Sequence, residues 1–187
     1  MRRRRLLSPL LALPLLLVLA AGGIAWYGST EPPLDWSAAP APSVADELRD
    51  MIAARSLTLT IDEAELNALL KPELYERRRL NAFAELTGAD IAVSDGILIV
   101  KTDVRVGGAL RLPLTHRLRL SWDKPDIVAE HEATSLKAIP LPTALVPIGV
   151  VRVPLAWDAP IPAEVSGVAF EEHRVRISFR MVNPFNF

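Results

Sequence analysis

The chain has 187 residues, half of them hydrophobic, with a formal net charge of −1 and no cysteine. This length fits one domain plus an anchor segment, and the lack of cysteine excludes disulfides, thiolate catalysis and cysteine-bound metals. Without Arg2, Arg3, Arg4 and Arg5, 17 basic residues remain against 22 acidic ones, and such a mildly acidic domain does not indicate nucleic-acid binding.

The four arginines are followed by a long uncharged stretch, the 23 residues Leu6–Gly28. As a helix rising about 1.5 Å per residue, this stretch can cross a hydrocarbon core of about 30 Å. The arginines predict that the N-terminus stays in the cytoplasm and that the C-terminal part crosses the membrane. The alternative is a cleaved signal peptide, which the small residues Ala20–Gly23 permit. Residues 1–28 are therefore predicted to be a membrane anchor or a signal peptide, with the anchor favoured.

After the anchor comes a Pro- and Ala-rich stretch, residues 29–42, which is typical of an extended tether. The remaining residues 43–187 form the predicted extracytoplasmic domain. It begins with an amphipathic helix over residues 43–55, which Ser43 would cap. Leu57–Ile61 then alternates between polar and apolar residues in the manner of a strand.

Two further helices are predicted before the pattern changes. Thr60 and Glu63 have the spacing of a capping box for a helix over Asp62–Leu70. A second helix is predicted over Glu73–Leu86, and Gly88 would end it.

From residue 89 onward, apolar residues recur with a period of two, which predicts antiparallel strands. Asp95-Gly96 is a hairpin signal between strands at Ile91–Ser94 and Ile97–Val106. Further strands are predicted over Leu110–Trp122, from Ile127, over about Val151–Trp157, and over the final hairpin Glu164–Phe170 and Arg174–Val182. The predicted fold class is α+β, with an N-terminal transmembrane helix and then short helices packed on a long, curved antiparallel sheet.

One segment breaks this pattern. Ala138–Val151 has no charge and contains Pro140, Pro142 and Pro147, so it is neither a regular strand nor a long helix. Three interpretations are open, namely a buried crossover, an exposed lip that touches lipid, and a partner site. The buried crossover is favoured.

The long strands are apolar on one face, and the short helices are too few to guarantee that this face is covered. The sheet would then leave an apolar groove, and the alternative is a face that the helices fill completely. The predicted groove lining is Leu98, Val100, Leu112, Leu114, His116, Leu118, His131, Ile177 and Phe179.

Two histidines fall on the apolar face of neighbouring strands. If Trp122 pairs with Ile127, Leu118 faces His131 and His116 faces Ala133, so the two histidines are diagonal neighbours. They would hold a ligand head group in the groove, or they are simply hydrogen-bonded within the fold, which is favoured. No sequence motif for a metal, a nucleotide cofactor or a nucleophilic serine is present. We therefore predict no metal, no cofactor and no enzymatic activity.

Arginines also lie on the polar face of the predicted strands, where they would meet either anionic lipid head groups or water, and the solvated face is favoured. The run Arg77–Arg79 is likewise interpreted as a solvated surface. The arginines of the polar face are Arg105, Arg111, Arg117, Arg119, Arg174, Arg176 and Arg180.

Three stretches between Leu57 and Met181 carry a resemblance to a known family: LTLTIDEAELNALL, VSDGILIVKTDVRV and IPLPTALVPIG. They resemble the YpmS-like family of small bacterial proteins with one N-terminal membrane anchor. More loosely, they are similar to YceB-like periplasmic proteins and to folds of the tubular lipid-binding (TULIP) type. The resemblance implies a long curved sheet that wraps a helix around an apolar groove. It implies no catalytic residues, and it places the domain on the periplasmic side of the bacterial inner membrane.

The leading functional hypothesis is a membrane-anchored envelope protein whose domain binds lipid or another long apolar ligand in the groove. The alternative is an accessory subunit of a membrane complex, with a filled core and an exposed docking surface. A hydrolase is the remote third hypothesis, which would need a serine or carboxylate next to a histidine in a cleft. The expected partners are the membrane, through Leu6–Gly28, and either lipid or a membrane protein.

Overall fold

A computed structural model of the chain describes residues 22–24, 26–28, 30–38, 57–155 and 163–181. Most of the predicted anchor and the predicted helix over residues 43–55 lie outside these ranges. Within them, no helix combines the length and the apolar character that crossing a bilayer requires.

The described residues form an α+β fold in which antiparallel strands predominate, as the sequence predicts. The elements in chain order are β1 (Thr58–Asp62), α1 (Glu63–Glu76), β2 (Ala84–Ser94), β3 (Ile97–Val106), β4 (Leu110–Asp123), β5 (Asp126–Leu136), β6 (Ile139–Leu141), a 3-10 turn (Thr143–Leu145), β7 (Val151–Pro154), β8 (Ala163–Glu171) and β9 (Arg174–Met181).

These strands form two sheets. The larger sheet has the order β2-β3-β4-β5, and both β6 and β7 pair with the outer edge of β5. The smaller sheet has the order β1-β9-β8. The predicted hairpin at Asp95-Gly96 is confirmed, and both turn residues have positive φ (45° and 81°), as a tight turn with Asp-Gly requires.

The helix α1 begins with a capping box, but not the predicted one. Asp62 Oδ1 accepts the Glu65 backbone N–H (2.9 Å), and Glu65 Oε2 accepts the Asp62 N–H (2.8 Å). The predicted capping residue Thr60 instead pairs with Arg176 of β9. The strand therefore runs one residue beyond its predicted end, and the cap moves with it.

The predicted second helix over Glu73–Leu86 is wrong. The single helix α1 continues through Pro72 to Glu76, and the chain enters β2 at Ala84. Pairing of β2 with β3 overrides the local helical spacing there. Gly88 is not a helix stop but lies at a bulge in β2, where a Cβ atom would overlap the backbone of Leu34.

The free edge of β2 is covered by side chains of α1 and by the β8–β9 turn. The Asn67 side-chain amide donates to the Ile91 carbonyl (2.6 Å), and its oxygen accepts the Ile91 N–H (3.0 Å). Glu63 Oε1 accepts the Val93 N–H (3.0 Å), and the His173 N–H donates to the Val93 carbonyl (2.9 Å). The edge of the larger sheet is thereby closed to pairing with another chain.

The core lies where β9 of the smaller sheet packs on the β2–β3 end of the larger one. Val93, Val175, Ile177 and Phe179 are its buried members. Partly buried side chains of β1, α1, β3, β4 and β8 pack around them, among them Leu66, Leu98 and Leu120.

Residues 30–38, which belong to the predicted tether, lie across the outer face of the larger sheet; we call them the strap. Arg111 of β4 donates to the carbonyls of Glu31 (2.7 Å) and Pro32 (2.8 Å). Further along the strap, the Leu34 N–H donates to Asp103 Oδ2 of β3 (2.7 Å). Asp103 is 0% exposed as a result, although strand alternation places it on the polar face.

The strap then passes the edge of β2 and reaches α1. The Asp35 carbonyl accepts the Ala89 N–H (3.3 Å), and Lys71 donates to the Ser37 carbonyl (2.7 Å). Trp36 meets Tyr75 edge to face, with ring centroids 5.5 Å apart. Residues 30–38 are thus part of the folded body and not a free linker.

Candidate functional site

The inner face of the larger sheet carries a chain of buried polar side chains among its apolar residues. Thr102 Oγ1 lies 3.1 Å from His116 Nε2, and His116 Nδ1 lies 2.9 Å from Thr134 Oγ1. The same hydroxyl is 2.8 Å from His131 Nε2. Three neighbouring strands, β3, β4 and β5, supply these four residues, because cross-strand pairing places them on one face.

The strand register explains which residue links the two histidines. Trp122 pairs with Ile127 and Leu118 with His131, as predicted. A bulge between Arg117 and Leu118 then shifts the pairing, so His116 faces Thr134 instead of the predicted Ala133. The sequence did not reveal this bulge. The prediction that His116 and His131 are close is confirmed.

Burial keeps His116 neutral. Loss of solvent, followed by the nearby His131, lowers the pKa of His116 from its ordinary 6.5 to about 4. A neutral imidazole has one donor and one acceptor, and two threonine hydroxyls satisfy both. The Thr134 hydroxyl has a single proton, so it donates to one histidine and accepts from the other. These four side chains, Thr102, His116, Thr134 and His131, form what we call the polar chain. The polar chain therefore satisfies its own hydrogen bonds, as the favoured interpretation expects.

The structure places the nine predicted groove residues in different surroundings. Ile177 and Phe179 are buried members of the core, and Leu98 packs against that core. Leu118 is buried as well, while the remaining apolar members of the set are partly buried: Val100, Leu112 and Leu114. The end of the inner face nearest the β2–β3 turn is thus filled by β9.

A pocket of about 290 Å³ lies on the opposite face, between the strap and the sheet. Its walls carry both signs of charge, since Lys101, Arg111 and Lys137 face Asp103 and Glu31. Arg111 pairs with Asp103 (2.7 Å), and Lys137 donates to the Tyr27 carbonyl and the Thr30 hydroxyl. Of the predicted groove residues, this pocket contains Leu114 alone.

The charge-free segment is largely exposed, so its interpretation as a buried crossover is wrong. Ile139, Val150, Val151 and Val153 are each between 46% and 59% exposed. Residues 138–153 run along the outer edge of β5 through the short strands β6 and β7, and we call them the lip. The three prolines limit regular strand pairing in this stretch.

The arginines of the polar face are mostly engaged by acids. Arg105 pairs with Glu85 (3.3 Å), Arg119 pairs with Glu132, and Arg180 pairs with Glu164. Glu171 accepts from two further arginines, Arg174 at 2.7 Å and Arg176 at 2.9 Å. Together with the Arg111–Asp103 pair, these contacts favour a surface whose charges are paired with one another over a surface that binds lipid head groups.

Among the described residues, His173 makes both histidine–carboxylate contacts, one to Glu63 and one to Glu172 (3.5 Å), on an exposed side chain. His173 Nδ1 lies 3.1 Å from Glu63 Oε1, with the histidine side chain 69% exposed. Hydrogen bonding to Glu63 raises the pKa of His173, and the same carboxylate oxygen accepts the Val93 N–H. Glu63 therefore supports the β2 edge. The described residues contain no group of three or more potential metal ligands.

Comparison with known proteins adds no assignment: no family model, no curated protein and no solved structure matches the chain.

Sequence reasoning missed two features. One is the strap, which joins residues about 70 positions apart, Leu34 and Asp103. The other is the role of Thr102 and Thr134, whose only signal was a polar side chain at an inward position of an otherwise apolar strand face.

Proposed function

We propose that the chain is a non-enzymatic accessory protein, anchored in a bacterial cell membrane by its N-terminal hydrophobic segment, whose extracytoplasmic domain docks a partner protein through the lip. This is the second of the hypotheses drawn from the sequence. The observation that carries it is the exposed apolar surface of the lip, in which residues 138–151 have no charge and Arg152 is paired with an acid.

The lip has the composition of a docking surface. Isolated apolar side chains are normal at protein surfaces, whereas a contiguous run of them marks an interaction site. Val151 and Val153 lie on one face of β7, opposite Arg152, which pairs with Asp123 (3.0 Å). The run is thus held in place by strand pairing and by an ion pair.

Docking would use side chains in preference to strand addition. β6 and β7 are short, of three and four residues, and each contains a proline. Short edge strands with proline resist pairing with a further strand. Burying one half-exposed valine contributes about 1 kcal/mol to the binding free energy, so burying two valines raises the affinity for the partner about thirtyfold.

A lipid-binding groove is the second candidate. It is favoured by the partly buried Val100, Leu112 and Leu114, which lie beside Thr102 and His116 on the inner face. Such a groove would need the larger sheet to curve over this face. The packing of Ile177 and Phe179 fills the other end, which is why we prefer the docking module.

The test is purification of the full chain from its own membranes in mild detergent. We expect one stoichiometric partner to co-purify, and we expect the double variant Val150→Asp/Val153→Asp to lose it. Ser166→Asp/Ala169→Asp is the matched control, because it adds the same two charges at exposed positions of the smaller sheet. Unchanged co-purification with the lip variant, or co-purified lipid in place of a protein, would contradict the proposal.

A further inference from the structure

The connection between α1 and β2 carries exposed apolar side chains next to a cluster of arginines. Phe83 is 77% exposed and Leu80 is 53% exposed, and Arg77, Arg78 and Arg79 precede them. We call residues 77–83 the basic loop. A large aromatic side chain is rarely left this accessible in a soluble surface without a partner.

The basic loop is held in a defined position. The Arg78 guanidinium lies over the Tyr75 ring, 4.2 Å from its centroid, and donates to the Tyr75 carbonyl (3.0 Å). The Arg78 carbonyl accepts the Leu86 N–H (2.8 Å), and the backbone of Arg79 forms an isolated antiparallel β-bridge with that of Glu85. Phe83 and Leu80 are therefore presented by a fixed turn.

The basic loop and the end of the predicted anchor lie at the same end of the larger sheet. The Phe83 carbonyl accepts the Gly107 N–H (2.7 Å), so the loop abuts the β3–β4 turn. Beyond that turn, Gly28 packs against the Arg111 carbonyl and Pro113 at the start of β4. Only β3 lies between β2 and β4, and strands are spaced about 4.8 Å apart, so roughly 10 Å separates these two strands across the sheet.

The other end of the sheet is far away. β4 has 14 residues, which span about 46 Å at about 3.3 Å each. The β2–β3, β4–β5 and β8–β9 turns lie at that distal end, because His173 contacts Val93 there. If the chain leaves the bilayer at residue 28, the end of the domain that faces the membrane is therefore the one with the basic loop, and not the one with these turns.

The chemistry of the basic loop suits an anionic lipid surface. No carboxylate of the described residues forms an ion pair with Arg77, Arg78 or Arg79, in contrast to the arginines of the sheet face. Next to them is a recess of about 460 Å³ whose walls include Arg79, Arg105 and Phe83. Arginines favour lipid phosphates, and an aromatic ring favours the boundary between head groups and acyl chains.

We propose that the basic loop is a second membrane-contact site, which inserts Phe83 and Leu80 among anionic lipid head groups beside the anchor. This inference rests on the proposed anchoring of the N-terminal segment. It makes the domain a body of fixed orientation, with the basic loop at the bilayer and the lip extending along one side.

The absence of cysteine allows a direct test with single-cysteine variants of the full chain. Phe83→Cys and, as control, Glu172→Cys at the distal β8–β9 turn are labelled with an environment-sensitive fluorophore. Each is reconstituted into vesicles of phosphatidylcholine with or without phosphatidylglycerol. We expect a blue-shifted emission at position 83, quenched by spin-labelled lipid and strongest with phosphatidylglycerol, and a water-like emission at position 172.

A second variant tests the charges. Arg77→Gln/Arg79→Gln keeps the Arg78 contact with Tyr75 and is expected to lower the ratio of docked to undocked loop by about thirtyfold, at roughly fivefold per arginine. A label at position 83 as water-exposed as that at position 172, in protein that resists alkaline extraction, would overturn the membrane contact alone. Extraction of the protein by alkali would instead refute the anchoring and, with it, this inference.

Discussion

The Thr134 hydroxyl is shared by both inner-face histidines, so its removal tests the polar chain. Thr134→Val keeps the side-chain volume and deletes the hydroxyl. Thr134 is 1% exposed, so His116 would lose the partner of its Nδ1 where water cannot replace it. One buried unpaired polar group costs about 1–3 kcal/mol. His131 is partly buried and can hydrogen-bond to water instead. We therefore expect Thr134→Val to lower the free energy of unfolding by about 2–3 kcal/mol in total.

The assay is thermal unfolding of the full chain in detergent, followed by circular dichroism. At about 4 °C per kcal/mol for a domain of this size, Thr134→Val should lower Tm by about 10 °C. Thr134→Ser is the matched control, because it keeps the hydroxyl and loses one methyl group, worth about 1 kcal/mol or about 4 °C. If the valine variant melts no lower than the serine variant, the hydroxyl does not hold the two histidines as described.

Three further predictions follow from other contacts. The pKa of His116 is lowered to about 4 in the fold, so as the pH falls the unfolded chain takes up a proton before the folded one does. The stabilisation of the fold by neutral His116 is therefore complete above about pH 6.5. It falls toward pH 4, by at most about 1.4 kcal/mol per pH unit. An NMR titration that gives the His116 ring an ordinary pKa near 6.5 would contradict it. Asp103→Ala leaves the Arg111 guanidinium without its buried partner and should lower the free energy of unfolding, measured in urea, by about 3 kcal/mol. A decrease of less than about 1 kcal/mol would show that the strap contact is loose. Asn67→Leu should speed hydrogen exchange at the Ile91 amide by tenfold or more, because its acceptor is lost at the edge of β2; an unchanged rate would mean that the amide has another partner.

Local chemistry made much of the sheet predictable. Alternation of apolar and polar residues needs no knowledge of distant contacts, and Asp95-Gly96 specifies a tight turn through the φ values that these two residues tolerate. The strands around that turn and the final hairpin were therefore found from the sequence. The helix before them was found as well, with its start displaced by the pairing of Thr60 to β9.

The errors arise where a distant segment decides the outcome. Residues 84–86 have helical spacing, but pairing with β3 makes them strand. Asp103 alternates as a solvated residue, yet the strap buries it with Arg111. Ile139 and Val153 look like core residues, yet each is 51% exposed. In the first two cases the deciding contact lies far away in the sequence, beyond the reach of local periodicity.

The candidate site was predictable in part for the same reason. The proximity of His116 and His131 followed from counting residues back from the β4–β5 turn, whereas the bulge that inserts Thr134 has no local signature in the sequence. The basic loop was visible as a run of arginines, but its position at the same end of the sheet as Gly28 became apparent only from the strand order.

The central claim, that the lip docks a partner protein at the membrane, is tested most directly by site-specific photo-crosslinking in intact membranes. A photoreactive side chain is placed at Val151 in the lip and, for comparison, at Ala169 in the smaller sheet. We predict one protein adduct of defined mass at Val151, absent at Ala169 and lost on adding Val153→Asp. No adduct at Val151, or adducts to lipid alone, would contradict the claim.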